Sequence, residues 1–395
     1  MNSSPAVPNH VRSAVCDERL PALVLDLAAI DSNCDDLRRR ARGTPIRVAS
    51  KSLRIPSLIA HVLEKPGFHG VLAYSLQEAI DLVRAGISDD VVVAYPSVDK
   101  QALLSLYDDP SLSSSITLMV DSVDHIQWLQ DNIHEANYPI RICLDVDASW
   151  RPGGGVHVGM LRSPTHNPAE AARVAEAIVR ADGLNLVGVM MYEGHIAGVG
   201  DAAGGIRQRI IRAMQKAARP ALAKQRRAVV DAVTAVAGPL EFVNGGGTGS
   251  LESTSAETAV TEVAAGSGIV GPTLFDTYAA FSPTPAQWFV LPVVRRPRPG
   301  TVTVAGGGRI ASGPAGEDRL PTPVWPEGLE YVSTEGAGEV QTPLTGADLA
   351  LGDPVWFRHA KAGESAEHAI EALVVTDCAV TKRWTTYRGE GRIYT

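Results

Sequence analysis

The sequence predicts an α/β chain: a (β/α)8 barrel of the TIM type followed by a C-terminal all-β domain. Three observations carry that expectation. Short, near-continuous apolar runs alternate with amphipathic stretches from about residue 20 to 275, and eight such runs stand in register with eight helical intervals. After Phe281 the texture changes: glycine and proline become frequent and helical periodicity fades.

The expected barrel strands are 46–50, 70–74, 91–95, 116–120, 140–146, 186–192, 240–244 and 260–264. Helical stretches separate most of them, among them 75–84, 122–132, 168–181 and the long 204–236. An open doubly wound sheet is the alternative, and the count of eight favours closure. Beyond the barrel, 289–295, 301–305, 330–333, 353–357 and 369–376 read as strands between turns. Leu23-Val24-Leu25-Asp26 is a further strand ahead of the barrel set, free to pair with the C-terminal domain. The expected division is therefore a barrel over 20–280 and a β-rich domain over 281–395, joined by the N-terminal strand of about 12–26. Residues 1–11 read as a loose end.

Composition excludes several classes. Hydrophobic residues make up 45% and charged residues 20%, ordinary values for a water-soluble globular chain. No apolar run reaches the roughly 18 residues a membrane span needs. The net charge of −8 argues against a nucleic-acid footprint. Cys16, Cys34, Cys143 and Cys378 form no CxxC pair, which suits reduced thiols in a cytoplasm. The first residues lack a basic start and an apolar core, so no secretory signal is expected.

Lys51 is the residue on which chemistry is expected to centre. The apolar strand Ile46-Arg47-Val48-Ala49-Ser50 runs straight into it, and a helix is expected to begin at Leu53. A lysine at the C-terminal end of a barrel strand projects into the face where such folds hold their active sites. There it can bind a carbonyl cofactor such as pyridoxal phosphate. Most lysines are simply solvated, so the surroundings decide.

Four other stretches bear on it. Met190-Met191-Tyr192-Glu193-Gly194-His195 closes the sixth strand, with Tyr192 and His195 where strand becomes loop; histidine is the usual proton-transfer group near neutral pH. Asn244-Gly245-Gly246-Gly247-Thr248-Gly249-Ser250 follows the seventh strand, where successive glycines can turn N–H groups toward an anion. Gly266-Ser267-Gly268 makes a second small-residue turn after the eighth, and barrels often build phosphate sites from these two loops. Asp145-Val146-Asp147-Ala148-Ser149-Trp150-Arg151 ends the fifth strand; Arg151 or Arg162 could hold a cofactor or a carboxylate, and the sequence does not choose. In the β domain His359 could be a metal ligand, with His368 and Asp377 as distant partners, yet one histidine makes no site.

Together these pieces resemble the fold-type III pyridoxal-phosphate enzymes of the alanine racemase N-terminal-domain superfamily. The nearest likeness is to the branch that contains D-threonine aldolase and D-serine dehydratase. The resemblance runs from Pro21-Ala22-Leu23-Val24-Leu25-Asp26-Leu27 and Asn33 to Gly352-Asp353 and His359, by order and spacing of motifs. It implies that Lys51 carries the cofactor aldimine and that Arg151 holds the ring. It implies also that Asn244, Gly247, Thr248, Gly249, Ser267 and Gly268 line the cofactor, with Tyr192 and His195 facing the substrate. It implies a homodimer as well. The sequence departs from the metal-dependent members, which carry His-x-Cys or His-x-Asp where this chain has His359-Ala360-Lys361. Protonated lysine is a poor ligand, so a divalent metal stays uncertain.

The expected function is a lyase acting on a β-hydroxy-α-amino acid of D configuration, releasing or joining an aldehyde. The alternatives are a D-amino acid dehydratase, a racemase, or a non-enzymatic pyridoxal-phosphate carrier; the large β domain argues against the last. Missing a second metal ligand counts more against dehydration, where a Lewis acid helps hydroxide leave, than against aldol cleavage.

Overall fold

The computed structural model describes residues 6–132, 138–202 and 204–394. The chain opens with α1 (Asn9–Ala14), β1 (Ala22–Asp26) and α2 (Leu27–Ala41). Strands and helices then alternate: β2 (Ile46–Ala49), α3 (Pro56–Leu63), β3 (Phe68–Ala73), α4 (Leu76–Arg84), β4 (Val91–Val93), α5 (Lys100–Asp108), α6 (Pro110–Ser115), β5 (Ile116–Val120), α7 (Val123–Asn132) and β6 (Ile140–Asp145). A hairpin of β7 (Trp150–Gly153) and β8 (Val156–Val158) interrupts the alternation. It resumes with α8 (Pro168–Arg180), β9 (Leu184–Met191), α9 (Gly194–Ala197), α10 (Ile206–Ala237), β10 (Phe242–Gly245), α11 (Leu251–Thr254) and β11 (Glu262–Ala265). The remainder holds α12 (Ser267–Val270), β12 (Gln287–Arg298), β13 (Thr301–Ala305), β14 (Thr322–Trp325), β15 (Glu330–Tyr331), β16 (Gln341–Thr345), β17 (Pro354–Arg358), β18 (Glu371–Thr376) and β19 (Ala379–Thr385). Two compact units result. One comprises the residues up to Asp36, Ser52–Leu58 and Gly266–Ile393; the other comprises Leu37–Lys51, Ile59–Ala265 and Tyr394.

The second of these is a closed barrel of eight strands in the order β10-β11-β2-β3-β4-β5-β6-β9, parallel at every junction. All eight expected strands are present, shifted at most a few residues. They are short, mostly apolar runs, and β4 (VVV) and β5 (ITLMV) are rich in β-branched residues and buried at every position. Helix starts follow local capping chemistry. Ser75 accepts from the Glu78 N–H at the start of α4, and Asn167 and Glu170 form a capping box at α8 with Pro168 in its first turn.

The barrel interior has an apolar part and a charged part. Val92, Met119, Cys143, Val187, Met190 and Phe242 pack together. A Cβ on Gly188 would lie 2.3 Å from the Phe242 ring, so the small residue is what lets that ring in. Arg47 bridges Glu262 (2.7 and 2.8 Å) and Asp90 (2.9 and 3.0 Å).

The other unit is built on a sheet in the order β15-β16-β13-β12-β1-β18-β19, with β17 pairing β12 and β14. The N-terminal strand β1 is antiparallel to β12 (Ala22 opposite Val290) and parallel to β18 (Leu23 opposite Ala372). The expected loose end differs from what is found. Val7, Val11 and Val15, four residues apart, point one way and pack under Trp288, Trp356 and Leu373, with Val11 fully buried on α1. Three strands of this unit went unforeseen for identifiable reasons. β14 and β16 contain Pro323 and Pro343, which argue against strand, and β19 is mostly exposed and polar. Among the described residues no helix is long and apolar enough to cross a membrane.

Candidate active site

Because all barrel strands are parallel, their C-terminal ends share one rim. β2 ends at Ala49 and passes into a single 3₁₀ turn, Ser50–Ser52, which carries Lys51 on its exposed side. The helix that follows starts at Pro56, later than expected, since proline favours the first helical position. Lys51 Nζ lies 3.4 Å from the Tyr95 hydroxyl, just past β4. The Arg162 guanidinium sits over the same ring, 5.9 Å from its centroid.

β9 delivers the next group. Tyr192 is half-buried, and burial pushes its phenol up to about 12, helped by Glu193, so it remains a proton donor at neutral pH. Its ring rests against the glycine loop: a Cβ on Gly247 would stand 3.1 Å from Tyr192 Cε2 and from Ala197 Cβ. Gly247 is therefore where ring and backbone meet closely. His195 lies in α9 and is buried, and its Nε2 has no hydrogen-bond partner among the described residues. Burial holds its basicity below the ordinary 6.5, while Glu193 and Asp147 pull the other way.

The glycine loop after β10 is tied down from inside the barrel unit. Gly246 has φ +78°, a conformation suited to glycine, and its N–H donates to Glu193 Oε2 at 3.3 Å. The Gly247 N–H donates to Ser250 Oγ at 3.1 Å. Two of the glycine N–H groups expected to face an anion thus have acceptors within the protein, and the Thr248–Gly249 end is the remaining part of the loop. Arg40 holds that end, donating to the Thr248 carbonyl at 2.6 Å and to Glu252 at 2.6 and 3.1 Å. Asn244 is buried and donates to Glu262 Oε1 at 2.8 Å, joining the charged barrel interior. Ser267 and Gly268 open α12 after β11, in the other unit.

The end of β6 gathers carboxylates. Asp145 is pushed up to about 7, chiefly by burial and further by Asp121, with Arg162 opposing. Asp147 accepts from Arg151 Nη2 at 2.7 Å, from the Ser149 N–H at 2.9 Å, and faces His166 Nδ1 at 3.3 Å. Arg151 rides on the exposed β7–β8 hairpin and is engaged by Asp147, whereas Arg162 shares Tyr95 with Lys51. Sequence reasoning singled out neither Tyr95 nor Arg226. Tyr95 stands at a barrel-strand end, a position that could have marked it. Arg226 lies inside a long helix with no motif around it.

His359 follows β17 and is buried. Its Nδ1 donates to the Lys361 carbonyl at 2.7 Å, leaving Nε2 as a buried atom that meets no hydrogen-bond partner of good geometry among the described residues. Burial drives its pKa down to about 4. Lys361 Nζ donates to the Ser312 carbonyl at 2.7 Å, and Glu364 accepts from the Ser312 N–H at 3.1 Å. Among the described residues no three His, Cys, Asp or Glu side chains come together to hold a metal, His368 and Asp377 included. This donor set does not fit a divalent ion.

The sequence pattern that defines the family "Alanine racemase, N-terminal domain" matches residues 25–273. The chain belongs to this family. Within the alanine racemase N-terminal domain family it is similar to the 3-hydroxy-D-aspartate aldolase of Paracoccus denitrificans (strain Pd 1222), 27% identical over 255 residues, 62% of this chain and 58% of that one. The match therefore spans little more than half of that relative's length. It is 25% identical to the D-threonine aldolase of an Arthrobacter species over 347 residues, 84% of each chain. The crystal structure of D-threonine aldolase from Filomicrobium marinum superposes with a TM-score of 0.76, covering 98% of this chain and 99% of that one at 22% identity, a likeness of fold.

Proposed function

We propose that this protein is a pyridoxal-phosphate-dependent lyase that cleaves, or in reverse forms, the Cα–Cβ bond of a β-hydroxy-α-amino acid of D configuration. The observation that carries the reading is a buried histidine, His195, whose Nε2 has no hydrogen-bond partner among the described residues and which lies on the same strand-end rim as Lys51. The curated aldolase relatives support the substrate class.

The residues of the rim fit the cofactor. A lysine beside a tyrosine hydroxyl suits its aldehyde, Gly247 lets the loop backbone lie close against the Tyr192 ring, and the Thr248–Gly249 end suits a phosphate. When bound, pyridoxal phosphate supplies the electron sink for the breaking bond. Lys51 would be the residue that holds its aldehyde. Arg162, stacked on Tyr95, meets a carboxylate or cofactor oxygen near Lys51. His195 in its neutral form takes the β-hydroxyl proton, and the β-carbon leaves as an aldehyde. Lys51, with Tyr95 as its neighbour, returns a proton to Cα, so glycine is released. No step above calls on a metal. The reading extends to a homodimer, as the family resemblance implies, and to a cytoplasm, which four cysteines without a CxxC pair suit.

The test is product analysis. The protein, supplied with pyridoxal phosphate, is incubated with the D and L forms of threonine and of 3-hydroxyaspartate. Aldehyde and glycine in equal amounts from a D substrate support the proposal. Keto acid with ammonia would make the enzyme a dehydratase, the opposite enantiomer a racemase, and no turnover with retained cofactor a carrier.

A further inference from the structure

A buried ion pair behind the glycine loop takes no part in the steps above. Glu193 is 2% exposed and Arg226 is fully buried. Glu193 Oε2 accepts from Arg226 Nη2 at 2.8 Å and from the Gly246 N–H at 3.3 Å. Its Oε1 accepts from Ser250 Oγ at 2.7 Å and from Thr254 Oγ1. A carboxylate has about four acceptor positions, and these four donors fill them. Arg226 in turn donates to the Met191 carbonyl at 3.1 Å and to Glu257. The pair thus joins the end of β9, the glycine loop, α11 and the middle of α10.

Burying such a pair carries a desolvation cost that a purely apolar contact avoids, so stability alone is a weak reason for it. Its distinctive effect is registry. Glu193 stands between Tyr192 and His195 in sequence and grips the loop against which Tyr192 packs. With Arg40 holding Thr248 from the other side, the loop is clamped on both flanks.

We propose that Glu193 and Arg226 are positioning residues that shape the Gly245–Ser250 loop to receive the phosphate of the cofactor and keep it in register with Tyr192 and His195. This rests on the pyridoxal phosphate reading given above. Neither side chain touches the reacting atoms; both act through the loop backbone.

The experiment compares binding of pyridoxal phosphate and of pyridoxal, which lacks the phosphate, to cofactor-free protein by equilibrium titration. Wild type is expected to prefer the phosphorylated form. Glu193→Ala should lower affinity for pyridoxal phosphate about tenfold or more, the size of a lost charge-assisted contact, while affinity for pyridoxal stays level. Thr254→Val, a milder change that keeps the ion pair, should lose part of the preference and covers the case that Glu193→Ala does not fold. Glu193→Gln should retain it, since the amide oxygen can face Arg226 and Gly246 and its NH2 can donate to the two hydroxyls. Equal loss for both ligands, or a preference unchanged in Glu193→Ala and Thr254→Val, would overturn the inference alone. No phosphate preference in wild type would overturn the pyridoxal phosphate reading and this inference with it.

Discussion

The Tyr95 hydroxyl stands 3.4 Å from Lys51 Nζ, so a phenol is a hydrogen-bond neighbour of the amine on which the proposed chemistry turns. Tyr95→Phe removes that neighbour while keeping the ring on which Arg162 stacks. Turnover is expected to fall about ten- to a hundredfold with little change in melting temperature, as befits loss of a proton-relay partner. Steady-state kinetics beside a thermal melt checks this; an unchanged kcat would remove Tyr95 from the mechanism.

Aldol cleavage should keep its rate into mild acid. Burial holds His195 below the usual 6.5, so the neutral base persists as pH falls to 6.5 and is lost only beneath it. The acidic limb of kcat/KM should therefore lie under pH 6.5. His195→Gln should abolish that limb and cut the rate by about 10²- to 10⁴-fold.

Asp145 makes the opposite linkage. Its folded pKa of about 7 stands above its ordinary 3.8, so the fold favours the protonated acid. That contribution is complete below pH 3.8 and is lost as pH rises through about 7. Asp145→Asn keeps the shape and removes the charge. It should melt higher than wild type at pH 8, and the gap should close toward pH 4; melts across that range decide it.

Chelation should leave activity intact. His359 sits beside Lys361 rather than a second metal ligand, and Lys361 Nζ is turned to the Ser312 carbonyl. Turnover after dialysis against a chelator should equal that before, with less than one bound metal per chain by atomic emission. Lost activity restored by manganese or zinc would show a site the side chains of this chain do not reveal.

The barrel was legible because its strands are short apolar runs bounded by turn chemistry, and the place of Lys51 because it follows one of them. Tyr192 and His195 were legible for the same reason at the end of β9. The β unit was legible only in part, since β14 and β16 keep their place despite prolines and α1 hides a valine stripe in a short segment. Residue type alone also could not tell where the loop donors point: Gly246 and Gly247 spend their N–H groups on Glu193 and Ser250. Nor could it pair Glu193 with Arg226, partners that only the packing of α10 brings together.

The measurement that tests the central claim most directly is borohydride reduction of the protein loaded with pyridoxal phosphate, followed by peptide mapping. The account predicts one pyridoxyl group per chain, on the peptide that carries Lys51. A group on another lysine, or none after loading, would contradict it.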